Sequence, residues 1–229
     1  MNKNYEKIVS LVCDTLVEAG STFREDKKKA YKRVIASEDN ERAKWVLETV
    51  LANAEAAEKN HSPLCDDTGI PHMVLEVGQD AAVTGRMLDA IREGIAEGLR
   101  RLPGRPMGIM GDDSHRIDQS GGLNPDSAGV EPAPILIRRC QDNVIRLHIL
   151  MFGGGPAIRA KTYRVFHKHN TQVVLDEIVN WATEGVTQLG CSPCTLAVGV
   201  GRSHFEATSM MLRLKWMVDM IFKARWSRK

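Results

Sequence analysis

The sequence predicts an α/β protein in which a mixed β-sheet is flanked by helices and preceded by an N-terminal helical segment. Three observations carry that reading. The first sixty residues repeat apolar side chains at helical spacing. Beyond them, short β-branched runs sit on either side of a long amphipathic helix pattern. Two of those runs, Ile135-Leu136-Ile137 and Val144 to Leu150, flank Gln141-Asp142-Asn143, a natural turn that predicts at least one antiparallel pair. Helices and strands mixed in this way favour a mixed sheet over a doubly wound parallel one.

In chain order, Ile8, Leu11, Val12 and Leu16 form the first helical stripe, which Gly20-Ser21 ends. A charged second helix runs from about Phe23 to Ile35. Asp39-Asn40 caps a third, with Trp45, Val46, Val50 and Leu51 as its apolar stripe. The texture changes at His61-Ser62-Pro63. Met73 to Val77 reads as a strand, and Leu88, Ile91, Ile95, Leu99 and Leu102 line one side of the next helix. Gly104 to Pro134 is rich in Gly, Pro, Asp and Ser and has almost no periodicity; so long a loop is more often functional than structural. In Val144 to Leu150, Arg146 and His148 alternate with apolar residues, so one face should be wet or lined with ligands. Asn170 or Thr171 caps a helix carrying Val174, Ile178 and Trp181. A last strand is expected over Thr195 to Val200.

Composition narrows the function. With 229 residues, 43% of them apolar, the chain can bury a core, and its net charge of +2 gives no footprint for nucleic acid or an anionic membrane. No apolar run approaches the roughly 20 residues that span a bilayer, and the N-terminus lacks a signal-peptide core. Cytoplasmic residence is the default. Five scattered cysteines do not form a disulfide framework.

Three segments set glycines beside polar or thiol residues at a strand edge: Cys65-Asp66-Asp67-Thr68-Gly69, Gly153-Gly154-Gly155 and Cys191-Ser192-Pro193-Cys194. The CxxC spacing of the last suits zinc, redox work or an iron–sulfur site. Zinc would want a second ligand pair, which the sequence lacks. A thioredoxin-like motif would open a helix, whereas Leu196, Val198 and Val200 follow here.

Together these segments resemble the class I fumarase and L-tartrate dehydratase alpha-subunit family. His61 to Gly69 is similar to its Cys-Gln-Asp-Thr-Gly motif. Gly153-Gly154-Gly155 with Lys161 is similar to its glycine-rich turn and the lysine after it. Cys191-Ser192-Pro193 through Val198-Gly199-Val200-Gly201 is similar to its Cys-Pro-Pro segment ending in Val-Gly-Ile-Gly. Arg105 stands where the family has a substrate-binding arginine. The resemblance runs from about Val50 to Leu212.

It implies a hydro-lyase with a [4Fe–4S] cluster held by three cysteines, acting on a small dicarboxylate such as malate/fumarate or tartrate. By that resemblance Cys65 and Cys191 are cluster ligands and Asp67 is catalytic. Asp66, Arg105, Gly153, Gly154, Gly155 and Lys161 then border the substrate. It also implies a beta subunit or C-terminal domain carrying the rest of the site, and a homo-oligomer. Asp66 replaces the family glutamine, and Cys194 is an extra thiol beside the expected ligand. Cys13 and Cys140 read as packed thiols, and His72, His115, His148, His167 and His169 have no assigned role. The competing class is a non-catalytic metal- or cluster-binding accessory subunit. The Asp67–Arg105 pairing tells against it, since only a carboxylate-handling site requires that pair.

The expected organisation is a helical segment over 1–60, the catalytic region over 61–212 and an atypical tail over 213–229. The family continues past Leu212 and supplies its third cluster cysteine there. The tail instead reads Arg213 to Lys229, rich in Trp and Met. One choice of codons, shifted by a base, gives a polar, helix-compatible stretch, so a single-base frameshift near Leu212 is expected. Resequencing decides it: an in-frame stop after Lys229 with no family-like frame downstream would end the idea.

Overall fold

The computed structural model describes residues 3–218 and 223–226, apart from 66, 68, 103, 105–107, 109, 111, 119–121, 156–159 and 189–192. These fall into two compact units, one of residues 1–154 with 221–229, the other of residues 155–220.

In the first unit, α1 (Lys3–Ser21) buries the expected stripe, with Val12 and Leu16 fully enclosed. After a short break α2 (Glu25–Ser37) and α3 (Glu41–Asn60) pair, tied by Lys28–Glu58 at 2.6 Å; Phe23, in the break, meets Tyr31 of α2 edge-on and donates its N–H to Glu58 of α3 at 3.2 Å. Asn40 caps α3 as expected, accepting from the backbone N–H groups of Arg42 and Ala43. The stripe expected on α3 is corrected: Trp45 and Val46 are exposed, and Ala54 and Ala57 are the residues it buries. Small side chains let α3 lie close where bulky ones would hold it off.

The sheet runs β2-β1-β3-β4, with β1 (Ile70–Val77) between β2 (Leu136–Arg139), which is parallel to it, and β3 (Ile145–Phe152), which is antiparallel. A mixed sheet was expected, but not this pairing. Gln141-Asp142-Asn143 does not close a hairpin; β1 separates the two strands that flank it. The physical reason is burial. Met73, Val74 and Leu75 in succession are almost wholly enclosed, so β1 has both faces covered and takes a central position. A further strand, β4 (Lys223–Trp226), pairs with β3.

One sheet face, with Met73 and Leu75 beside Leu147 and Ile149, packs on α1 and on α4 (Gly85–Arg101). Thr84 caps α4 through Met87 N–H, and Ile91, Ile95 and Leu99 form its buried stripe. Gly94 and Gly98 let α1 approach, because a Cβ at Gly94 would stand 2.6 Å from that of Val12. The long segment after α4 is partly organised by α5 (Asp113–Asp118) and a 3₁₀ turn at Ser127–Gly129.

The second unit contains α6 (Thr171–Thr187), capped by Asn170, and α7 (His204–Val218). A tight turn precedes α6, with Lys168 and His169 both at positive φ and Asn170 N–H donating to the His167 carbonyl at 2.7 Å. The strand expected over Thr195 to Val200 is not formed. That segment is irregular, Leu196 and Val200 are exposed, and Gly199 lies against the α7 backbone at Ala207.

Candidate active site

The loop carrying Cys65 and Asp67 is pinned at its start. α3 ends where His61 turns left-handed (φ 49) and its N–H reaches Ala57 and Glu58 carbonyls; Pro63 then forbids further helix. Leu64 N–H donates to the Gly20 carbonyl at 3.1 Å, and the Leu64 carbonyl accepts from Asn53 Nδ2 at 3.3 Å. The next residue, Cys65, is an exposed thiol.

The loop is pinned at its end as well. Gly69 sits at φ +97, and a Cβ there would collide with the Phe152 carbonyl and lie 2.5 Å from Gly153 N. Only glycine meets both demands. Between the two anchors, Asp67 Oδ1 accepts a hydrogen bond from Gly154 N–H at 3.1 Å. The loop and the glycine-rich turn, distant in sequence, thus meet where β1 begins and β3 ends.

His72 braces this junction, a role the sequence reading left unassigned. Its Nδ1 is 3.0 Å from the Ile70 carbonyl, and its ring meets Phe152 edge-on at 5.5 Å. Only the β1–β3 register makes that contact foreseeable.

Farther along the same sheet face lies a buried ionic cluster. Glu76 receives Arg138 and Arg146 at 2.6 Å each and His148 at 3.1 Å, and Arg146 also holds Asp142 at 2.6 Å. The expectation of a wet or ligand-lined face at Arg146 and His148 is corrected here: they are buried or nearly so around an internal carboxylate. Burial alone would push the Glu76 carboxyl up. The close approach of His148 and Arg146, with the charge of Arg138, overcomes that and brings it down to about 2. The signal was a lone acid in the apolar run of β1.

Lys161 lies in the second unit. Its ammonium is 3.5 Å from Glu184 Oε1; the neighbouring Tyr163 side chain and the Glu184 charge raise its pKa. Gly155 belongs to that unit too. Asp66, Arg105 and Cys191 are outside the described residues. Cys13 is packed, as expected, with Arg101 Nη1 at 3.2 Å from its sulfur; burial pushes its thiol up. Cys140 donates to the Asp142 carbonyl at 3.3 Å, and Cys194 is exposed. Among the described residues no three His, Cys, Asp or Glu side chains are grouped so as to hold a metal ion, and none of the helices is long and apolar enough to cross a membrane.

Residues 9–221 match the family model described as fumarate hydratase (Fumerase). The chain belongs to the fumarate hydratase family. The match begins well before Val50, so the N-terminal helices are part of the fumarate hydratase region. Among relatives, a Methanocaldococcus jannaschii protein provisionally named L(+)-tartrate dehydratase subunit alpha is 25% identical over 218 residues, 94% of this chain and 73% of that one. A Geobacillus stearothermophilus protein, provisionally a fumarate hydratase class I, is 26% identical over 155 residues. That second alignment covers 68% of this chain but 28% of its relative.

Proposed function

We propose that this chain is the catalytic alpha part of a hydro-lyase that reversibly dehydrates a dicarboxylic hydroxy acid of the malate/fumarate or tartrate type. One observation carries the reading. The Asp67–Gly154 hydrogen bond joins two motifs 87 residues apart, setting a carboxylate on a glycine backbone N–H two residues along the chain from an exposed thiol. Loss of water requires a base for the proton on the carbon next to the hydroxyl. Asp67 takes that role, with one oxygen oriented by Gly154 N–H. The substrate carboxylates require fixed cations. Arg105 supplies a planar fork and Lys161 a point charge, and N–H groups of Gly153 to Gly155 border the anion. Asp66, an acid beside the catalytic acid, bears on which hydroxy acid is accepted.

The donor chemistry suits a [4Fe–4S] cluster. Cys65 is an accessible thiol on a loop fixed at both ends, unlike buried Cys13, and Cys191 is the second ligand. When bound, such a cluster supplies an open iron that acts as a Lewis acid toward a hydroxyl. In a complete version of the protein, one that carries the third cluster cysteine, replacing Cys65 with Ser is expected to abolish iron retention, while Cys13→Ser keeps it. Iron content and the visible absorption band report the difference, and full loading of Cys65→Ser would remove Cys65 from the ligand set. Thiolate ligands suit a reducing cytoplasm. A beta subunit or C-terminal domain completes the site, in a homo-oligomeric assembly.

The test is a panel of malate, fumarate and the tartrate isomers, offered to the chain assembled with its partner. Turnover of at least one is expected. An intact cluster with no turnover on any would overturn the reading.

A further inference from the structure

Two segments of the site leave the sheet from a single rung. In the β1–β3 register Ile70 faces Phe152, the outermost pair toward the site. Gly69 precedes Ile70 and leads back through the loop to Asp67, while Gly153 follows Phe152 and leads to Gly154. The Asp67–Gly154 hydrogen bond therefore joins two segments that are both anchored at this rung. Ladder ends are where a sheet opens most easily, so a bond placed beyond the last pair needs that pair held. His72 touches both of its members. Its Nδ1 lies 3.0 Å from the Ile70 carbonyl, and its ring meets that of buried Phe152 edge-on, at 5.5 Å and 82°. Position explains the contacts: His72 is two residues from Ile70, on the same sheet face, and so diagonal to Phe152 across the strands. A carbonyl only accepts, so Nδ1 carries a proton whether the ring is neutral or charged, and the bond fixes the plane of the ring.

We propose that His72 is a positioning residue, a side-chain clamp on the Ile70–Phe152 rung that sets the glycine-rich turn against Asp67. The proposal rests on the reading of Asp67 as the base and adds what holds its oxygen in place. The hydrogen bond to Ile70 aims the imidazole, and the aimed ring limits the orientations open to Phe152. Gly69 abuts the Phe152 carbonyl, and a Cβ on Gly69 would come within 2.5 Å of Gly153 N, so loop and turn have almost no slack there. A shift of Phe152 is then passed on to Gly154 N–H, two residues away. Proton abstraction is sensitive to such shifts, because the reacting groups must be held within about 0.5 Å of their productive geometry.

The test separates the two halves of the clamp. His72→Asn keeps a donor near Nδ1 and removes the ring, His72→Phe keeps a ring and removes the donor, and His72→Ala removes both. Amide hydrogen exchange of the full chain, resolved to single residues, reads the Asp67–Gly154 bond without catalysis. In His72→Ala the Gly154 amide should exchange roughly tenfold faster relative to amides at the centre of β1, the equivalent of one hydrogen bond to a charged group. His72→Asn and His72→Phe should fall between it and wild type. In the assembled, cluster-loaded enzyme, kcat should fall roughly 10–100-fold in His72→Ala at unchanged iron content, with partial recovery in the two conservative variants. A general loss of stability would speed exchange at the centre of β1 at least as much. Gly154 exchange that rises no more than that of central β1 would therefore overturn the clamp and leave the role of Asp67 standing. Faster Gly154 exchange with wild-type turnover would overturn the reading of Asp67 as the base, and the proposal with it.

Discussion

Gly69→Ala should cost about 3–5 kcal/mol of stability, among the largest effects of any single methyl in this chain. Two independent terms add. A left-handed backbone costs a non-glycine residue roughly 1–3 kcal/mol, and Gly69 stands at φ +97. The added Cβ also meets backbone, the Phe152 carbonyl and Gly153 N, which cannot turn aside as a side chain could. The end of β3 must then move from the loop, and the Asp67–Gly154 hydrogen bond goes with it. Urea unfolding measures the first loss and turnover the second. Wild-type stability in Gly69→Ala would contradict the close apposition of loop and turn.

Glu76→Gln should destabilise the chain by about 3 kcal/mol at neutral pH, and the difference should fade in acid. Glu76 has a folded pKa of about 2 against an ordinary 4.5. A carboxyl whose folded pKa is depressed contributes stability that is fully present above its unfolded value. That contribution is lost as pH falls through the folded value. The window is therefore from about pH 4.5 down to about 2. Glu76→Ala goes further, because it leaves Arg146 largely buried with only Asp142 to balance it. Unfolding midpoints of wild type and Glu76→Gln at pH 7 and pH 3 check the sign. A gap that widens in acid would contradict the assignment of Glu76 as the ionised centre of the cluster.

Helices were legible in the sequence where a cap and a stripe agreed. Asn40 and Asn170 cap the helices they were expected to cap, and Ile91, Ile95 and Leu99 are buried as their spacing requires. Strand pairing was not legible. Turn chemistry at Gln141-Asp142-Asn143 is local, whereas the place of β1 between β2 and β3 follows from burial of both its faces. Trp45 and Val46 misled for a related reason: a helical period shows which residues share a face, not whether anything covers it. At Thr195 to Val200, alternation suggested a strand, but Gly199 and Gly201 bring the segment against α7 without ladder partners.

The site was legible chiefly through the family resemblance. Spacing could not bring Asp67 to Gly154; the β1–β3 register does. His72 escaped because its meaning depends on Phe152 in the neighbouring strand. The Glu76 cluster escaped because three basic residues on two strands converge only once the sheet has formed.

The central claim is that Asp67, held by Gly154, serves a dehydration. Its most direct test compares wild type with Asp67→Asn in the assembled, cluster-loaded enzyme, following malate or tartrate dehydration at matched iron content. Asn keeps the shape and can still accept from Gly154 N–H, but it cannot take a proton. The account predicts a fall in kcat of roughly 10²–10⁴-fold, with iron content and cluster absorption unchanged. Turnover in Asp67→Asn within a few-fold of wild type would contradict it.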